Sequence, residues 1–413
     1  MTIGMGLALA VAVQAASGEA PELDLPALWQ LVEQHNPELA ALRAEVEAGE
    51  GRILQARLYP NPSIGLETED GPLDHVGLSR SKNTVAWVQP LEWGGKRAAR
   101  AALASAETIV LELAYRERRQ ELFVEAAEAY AEGLYLAAGR RLYASLEAEL
   151  AEPLEIARQR VAMRAAPRWE AERTELVLRE LRLSAASLPE EQRAVEARLA
   201  RLLGAPAFTL KGLPQELRDS WPELDEEALS SRVLARHPAL ARAGDLAAWK
   251  RLASAQVERR PDLEARLALG RNTAENENVI EAGLAIPLPL WNRNQGAIAE
   301  AKALAAMAEA ARAAQRDRVQ EETATALARY RYARSRLAFA RSEFLSLALA
   351  VEALTREGYR TGKQSYLEWM DARRAVIEAR KTEWSLLSEA HAAAARLWAL
   401  ADAPIDSFAL KGD

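Results

Sequence analysis

The sequence predicts a mainly α-helical protein with a small β part, built as two copies of one unit. Three observations predict it. Long tracts dominated by Ala, Leu, Glu and Arg run without Gly or Pro, a few short segments alternate apolar and polar residues, and the first half of the chain aligns with the second. Of 413 residues 27% are charged and only 6% aromatic, which fits extended helices better than several compact globules.

The repeat is legible in its prolines. "QHNPELAALRAEVEAGEGRILQARLYPNPSIGLE" lines up with "ARHPALARAGDLAAWKRLASAQVERRPDLEARLA", with Pro37 facing Pro238 and Pro60 facing Pro261. Further on, "VQPLEWGGKRAARAALASAE" faces "IPLPLWNRNQGAIAEAKALAA", with Pro90 opposite Pro287. The repeats are expected over 21–203 and 225–403, joined by a Pro- and Gly-rich linker at 204–224 and followed by a tail at 404–413. Residues 1–20 have an apolar stretch from Ile3 to Val13 and then small residues at Ala15, Ala16 and Ala20. They read as a secretory signal, although no basic residue precedes the apolar stretch.

Each repeat is expected to open with one helix, over 25–57 and 226–258, ending before a proline. Paired strands follow, at about 62–70 and 82–91, then 261–271 and 277–288. The third strand alternates most clearly, with Leu263, Ala265, Leu267 and Leu269 on one face and Glu264 and Arg266 on the other. Two hairpins are too few strands to close a barrel and marginal as a free sheet, so they need partners, expected from other copies of the chain. Pro90 with Gly94 and Gly95, and Pro287 and Pro289 with Gly296, mark the expected switches from strand to helix, because proline ends a ladder and glycine makes the turn.

After the switches come the longest helices. Between Gly296 and Gly358 there is neither Gly nor Pro, so one continuous helix is expected there, roughly 90 Å long at 1.5 Å per residue. Its counterpart from Lys96 contains Gly133, Gly139 and Pro153, and a break is expected near Pro153. Returning helices over 167–203 and 364–401 complete two helical hairpins with tips at 164–167 and 360–364. Ala on several faces suits helices that touch neighbours on both sides.

Composition excludes several functions. A net charge of −7 without a basic block argues against nucleic-acid binding. Zero cysteines exclude disulfides, thiolate metal sites and cysteine nucleophiles. His35, His75, His237 and His391 show no metal-ligand spacing, no phosphate loop or hydrolase motif is present, and neither a cofactor nor an enzymatic activity is expected. No later run reaches the roughly 18 apolar residues of a membrane-spanning helix, so contact with a membrane falls to the strands.

The twofold order of helix, strand, strand, long helix and return helix, with "YPNPSIGLE", "QPLEWGGKR", "IPLPLWNRNQG" and "GYRTGKQSYLEWMDARRAV", resembles the TolC-like outer-membrane efflux proteins over nearly the whole chain. Within them it looks most like the branch serving cobalt-zinc-cadmium type pumps. The resemblance implies a homotrimer whose chains give four strands each to a twelve-stranded barrel among outer-membrane lipids, with the helices forming a hollow cylinder through the periplasm. It also implies a periplasmic adaptor and an inner-membrane RND transporter as partners, and passive conduction of heavy-metal cations. Drugs or other small organic molecules are the alternative cargo, and a periplasmic coiled-coil adaptor or scaffold is the rival class.

The resemblance further assigns Glu368 and Asp371 to a pore constriction, where crowded carboxylates raise each other's pKa. Spacing alone leaves them equally readable as solvated acids paired with Arg373 or Arg374. The tip residues Arg164, Ala165, Thr361, Gly362 and Lys363, with Arg168 nearby, are either an adaptor-docking surface or solubilising charge. Trp87, Trp93 and Trp291 flank strand ends as an interfacial aromatic girdle does, or pack the strand-helix joints.

Overall fold

A computed structural model describes residues 23–70, 79–210, 221–243 and 246–403. The expected signal at 1–20, the tail at 404–413 and His75 lie outside the described residues. In the first repeat the chain forms α1 (Leu25–His35), α2 (Pro37–Arg57), β1 (Ser63–Glu69), β2 (Lys82–Leu91), α3 (Lys96–Glu149), α4 (Ala151–Ala162), α5 (Arg168–Ala186) and α6 (Leu188–Leu202). The second gives α7 (Glu226–Arg236), α8 (Pro238–Ala243), α9 (Leu246–Glu258), β3 (Leu263–Asn272), β4 (Glu277–Ala285), α10 (Gln295–Phe339), a π-helical turn over Ala340–Leu345, α11 (Ser346–Arg360) and α12 (Tyr366–Ala401).

Proline explains most departures from expectation. The single opening helix of each repeat is broken at Asn36 and at His237, whose ψ angles of 123° and 122° are extended, because the ring of a following proline pushes the residue before it out of the helical region. Asn36 turns its break into a cap. Its Oδ1 accepts from the Glu38 and Leu39 N–H groups at 2.9 and 3.1 Å, and its Nδ2 donates to the Leu202 carbonyl at 2.9 Å. The first return helix breaks at Ser187, which lets Pro189 sit in the first turn of α6, where its missing N–H costs nothing. The break expected near Pro153 falls at Leu150, since the proline ring cannot share a helix with the carbonyl four residues earlier, that of Glu149. Gly133 and Gly139 lie inside α3 without breaking it.

The expected unbroken helix from Gly296 to Gly358 contains the π turn instead. One residue more than a heptad separates Ala340 from Ala348, both buried, and the wider turn absorbs the surplus so that the helix keeps one face toward α12. Before the turn Ala333, Leu337 and Ala340 pack on Leu386, Leu387 and Ala390. After it Ala348 packs on Val376 and Ala379.

Two compact units are present, and they cut across the repeats. One takes the described parts of Met1–Ala40, Glu117–His237 and Asp317–Asp413; the other takes those of Ala41–Arg116 and Pro238–Arg316. In the first unit Phe123 sits between the rings of Trp29 and Trp398, each at 5.2 Å, over Ala127, Ala395 and Ala399. Trp384 stacks on Tyr135 at 3.6 Å and donates its indole N–H to the Tyr135 carbonyl at 2.9 Å. Gly139 makes room for that indole, because a Cβ there would stand 2.1 Å from it.

The second unit carries the sheet. All strands are antiparallel in the order β1-β2-β3-β4, so the two hairpins pair first with each other, through Val85 opposite Leu269 and Trp87 opposite Leu267. The alternation read from the sequence holds. One face presents Ile64, Leu66, Val85, Trp87, Leu267, Leu269 and Ile280, all exposed. On the other face Lys82 pairs with Glu69 and Glu281 while Arg266 pairs with Glu67 and Glu281, roofing the buried Ala86 and Ala268. β2 keeps its expected bounds of 82–91, with Pro90 inside it, opposite Glu264, rather than closing the ladder itself. The proline is tolerated because β1 stops at Ser63, opposite Val88, and leaves that flank of β2 an edge where no donor is required.

Gly139→Ala is expected to lower stability by about 1–3 kcal/mol through overpacking against Trp384, measured by thermal or denaturant unfolding followed by tryptophan fluorescence. Gly51→Ala, whose Cβ meets nothing within 4 Å, is the control and leaves the transition in place or raises it.

Candidate functional site

The tips of the two helical hairpins lie within the first unit and are closed by the same device. At the end of α4 Arg164 adopts a left-handed conformation, φ +58°, while its N–H and that of Ala165 reach back to the carbonyls of Val161 and Arg160 at 3.0 and 2.8 Å. At the end of α11 Gly362, φ +73°, donates to Tyr359 at 3.0 Å and Lys363 to Gly358 at 2.8 Å. Both are Schellman caps, in which the last carbonyls of a helix are satisfied by the turn itself. Thr361 adds a side-chain bond from its hydroxyl to the Glu357 carbonyl at 3.0 Å. Arg164, Ala165, Thr361, Gly362 and Lys363 are all exposed, and Arg168 pairs with Glu172 at 3.5 Å.

Beyond the second tip Ser365 and Glu368 start α12 as a capping box. The Glu368 N–H donates to the Ser365 hydroxyl at 3.2 Å, and the Glu368 carboxylate accepts from the Ser365 N–H at 2.7 Å and from its hydroxyl at 2.9 Å. The Ser365 backbone N–H, then its hydroxyl, hold the Glu368 carboxyl below the usual carboxylate range. One turn on, Asp371 accepts from Arg173 of α5 at 2.6 Å. It does not pair with Arg373 or Arg374. Arg374 bonds Glu180 at 2.6 Å, and Arg373 bonds Glu149 and Glu352 at 2.6 and 3.2 Å. Arg173 was not singled out in the sequence. Sliding one tip onto the other, Arg164 on Gly362, brings Glu170 onto Glu368 and Arg173 onto Asp371, and that signal would have found it.

Behind the acids an aromatic cluster fixes the tips. Tyr359 stacks on Trp369 at 5.0 Å, Tyr366 meets both edge-on, and Arg160 donates to the Tyr359 hydroxyl at 2.5 Å. The Tyr366 hydroxyl bonds Thr174 and the Pro153 carbonyl, and burial pushes its pKa up to about 12. The Trp369 indole donates to Glu352, which Arg373 also holds, and a second nitrogen interaction of Arg373 reaches the Glu149 carbonyl at 3.3 Å. The acceptor that Pro153 withdraws from its own helix is therefore satisfied from α12.

The strand-helix joints belong to the second unit. Gly94 and Gly95 take φ angles of +73° and +87°, and a Cβ at Gly94 would collide with Arg260, which donates to the Gly94 carbonyl at 2.6 Å. The Trp93 indole donates to the Pro261 carbonyl, while the Pro60 carbonyl accepts from Gln89 at 3.0 Å. Lys96, nearly buried at the first turn of α3, reaches Asp262 and Glu258 at 2.9 and 3.6 Å, a clamp the sequence did not announce. At the other joint Pro287 and Pro289 follow the end of β4, and Gly296 is already the second residue of α10. Trp291 is 86% exposed there, whereas Trp87 projects from the apolar face of the sheet.

Among the described residues no group of three or more His, Asp or Glu is placed to hold a metal ion, and no helix is long and apolar enough to cross a membrane. The described geometry offers paired helical hairpins, and a sheet with an exposed apolar face whose edge strands are β1 and β4. These features define a helix-dominated protein of paired hairpins that carries one four-stranded antiparallel sheet. The sequence profile of the outer membrane efflux protein family matches residues 28–205 and 229–402, and the chain belongs to that family. Its place is the outer membrane.

The cobalt-zinc-cadmium resistance protein CzcC of Cupriavidus metallidurans is 28% identical over 380 residues, covering 90% of this chain and 88% of CzcC. The nickel-cobalt-cadmium resistance protein NccC of Alcaligenes xylosoxydans xylosoxydans is 27% identical over 314 residues, 72% of this chain and 67% of NccC. The crystal structure of the outer membrane protein VceC from Vibrio cholerae shares the fold with a TM-score of 0.73 at 17% identity, covering 92% of this chain and 96% of VceC.

Ser365→Ala is expected to cost about 1 kcal/mol at the start of α12, read as faster amide hydrogen exchange over its first turn. The cap is also acid-labile. Because the folded pKa of Glu368 is depressed, its contribution is complete above the ordinary carboxylate range and disappears as pH falls through the lower folded value. In Glu368→Gln the same amides should show no such pH dependence.

Proposed function

We propose that this outer-membrane efflux protein is the exit duct of a tripartite system for divalent heavy-metal cations. The cargo rests on the likeness to CzcC, a cobalt-zinc-cadmium resistance protein, over 90% of this chain. Three copies give four strands each to a twelve-stranded barrel. In that arrangement the exposed apolar face meets lipid, the charged face lines the lumen, and each open β1 edge meets the β4 edge of the next copy. The helices extend into the periplasm toward an adaptor protein and an inner-membrane RND pump.

The duct is passive rather than catalytic. Glu368 and Asp371, repeated threefold, ring its periplasmic constriction and favour cations. The exposed tips, Arg164, Ala165, Thr361, Gly362 and Lys363, dock the adaptor, and Trp87, Trp93 and Trp291 lie at the membrane interface. The proline and glycine joints at Pro60, Pro90, Gly94, Gly95, Pro287, Pro289 and Gly296 link barrel to tunnel, with 21–203 and 225–403 as the repeated units.

Purified protein in planar bilayers should show trimeric, cation-preferring channels. Glu368→Ala with Asp371→Ala should reduce that preference, read as a shift of reversal potential toward zero in a zinc or cobalt salt gradient. A channel indifferent to both changes defeats the constriction assignment alone. A host lacking the chain that keeps its zinc and cobalt resistance but loses tolerance to an organic drug defeats the metal cargo.

A further inference from the structure

In the second unit the end of the sheet that joins the helices is built differently from its far end. Residues 52–62, 91–100, 255–262 and 286–297 hold eight basic against three acidic residues, in a chain whose net charge is −7. The described residues around the far end, 69–70, 79–83 and 271–278, hold three basic against four acidic. The four stretches at the helical end form one surface. The Arg97 guanidinium lies 3.8 Å from the centre of the Tyr59 ring, Arg260 donates to the Gly94 carbonyl, the Trp93 indole to the Pro261 carbonyl, and the Asn294 amide to the Ala255 carbonyl at 2.8 Å.

The acids of this surface are already engaged. Glu92 accepts from Arg100 at 2.9 Å, and Lys96 holds Asp262 and Glu258. Arg52, Arg57, Arg259 and Arg293 are exposed and, among the described residues, pair with no carboxylate. Elsewhere arginine meets glutamate, as Arg118 meets Glu38 and Arg341 meets Glu383. The helix dipole accounts for Arg57 and Arg259, at the C-terminal ends of α2 and α9. It disfavours Arg97 in the first turn of α3 and Arg293 just before α10, and neither helix has an acid in its first turn. Among these cations lie Leu54, Leu58, Tyr59, Trp93, Leu288 and Trp291, all exposed, Leu54 by 66% and Leu288 by 72%.

We propose that this band binds anionic phospholipid, phosphatidylglycerol or cardiolipin, in the leaflet next to the periplasm, with the arginines on the phosphates and the apolar side chains among the acyl chains. This rests on the barrel reading above, in which the apolar face of the sheet meets lipid and the helices leave the membrane at the joints. A second copy of the chain does not neutralise the band, because it brings the same excess of cations to the same level and its acids there are engaged too. A soluble anion answers the charge but leaves Leu54, Leu288 and Trp291 in water. A phosphodiester that carries acyl chains answers both. Guanidinium suits the task, since it offers paired N–H donors to phosphate oxygens, and Arg97 is braced for it over the Tyr59 ring.

Full-length protein in detergent, titrated with phosphatidylglycerol and separately with phosphatidylcholine, should retain about tenfold more of the anionic lipid, counted per chain by native mass spectrometry. The preference should collapse at about 0.5 M salt, and inorganic phosphate at the lipid's concentration should not displace the lipid. Arg52→Gln, Arg57→Gln, Arg259→Gln and Arg293→Gln combined should erase the preference while circular dichroism keeps the wild-type helix content. Lys at the same four positions should keep most of it. Arg80→Gln with Arg271→Gln, at the far end of the sheet, should leave it unchanged. Equal retention of both lipids by the wild type, displacement by inorganic phosphate, or a preference that survives the four Gln changes overturns the proposal, as does one that follows Arg80 and Arg271 instead. If the fourfold variant does not fold, the lipid, salt and phosphate comparisons on the wild type decide the matter. A wild type that forms channels in bilayers but shows no lipid preference overturns this inference alone; one that does not enter bilayers overturns the barrel reading with it.

Discussion

The antiparallel pairing of β2 with β3 is the interaction on which the rest of the architecture depends. It is the seam between the two repeats, joining Lys82–Leu91 to Leu263–Asn272 along their full length. Two isolated hairpins would each be marginal in water; side by side they make a four-stranded sheet whose alternation puts Ile64, Leu66, Val85, Trp87, Leu267, Leu269 and Ile280 on one face and the ion-pair ladder on the other. A one-residue slip at this seam would invert both faces at once. The ladder of Glu69, Lys82, Glu281, Arg266 and Glu67 opposes such a slip, because its partners come from all four strands and meet in one register only.

The first unit is governed by a different constraint, the need of every broken helix to place its backbone groups. Asn36 answers it with its side chain, Arg164 and Gly362 with a left-handed turn, Ser365 with a capping box, and Arg373 by donating to the carbonyl that Pro153 displaces. The last is the most consequential. It ties the interruption of one hairpin to the return helix of the other, within one turn of Asp371.

Much of this was legible in the sequence, and the remainder was hidden for identifiable reasons. Ser63–Glu69 is found as a strand within a residue of the expected 62–70 because a short alternating run follows Pro60 and Pro62. The tips fall where Pro167 and Gly362 put them. The π turn was hidden because its residues, "ARSEFL", are ordinary helix formers; only the phase of Ala340 against Ala348 betrays it, and phase is read against a partner helix. The reason Pro90 is tolerated inside β2 was hidden, because it comes from β1 being short, which is a property of the neighbour. The Arg173–Asp371 pair spans 198 positions, yet the repeat itself superposes the two residues, so that contact was recoverable.

The wide turn at Ala340–Leu345 also bears on how such chains vary. A helix packed on two sides ordinarily changes length in steps that respect its heptads, since any other step rotates everything beyond it. A turn that swallows one residue removes that restriction. The hairpin gains about 1.5 Å of reach while its faces keep their bearings. Length becomes adjustable in single residues, so a lineage can lengthen or shorten this hairpin without turning the faces beyond the insertion.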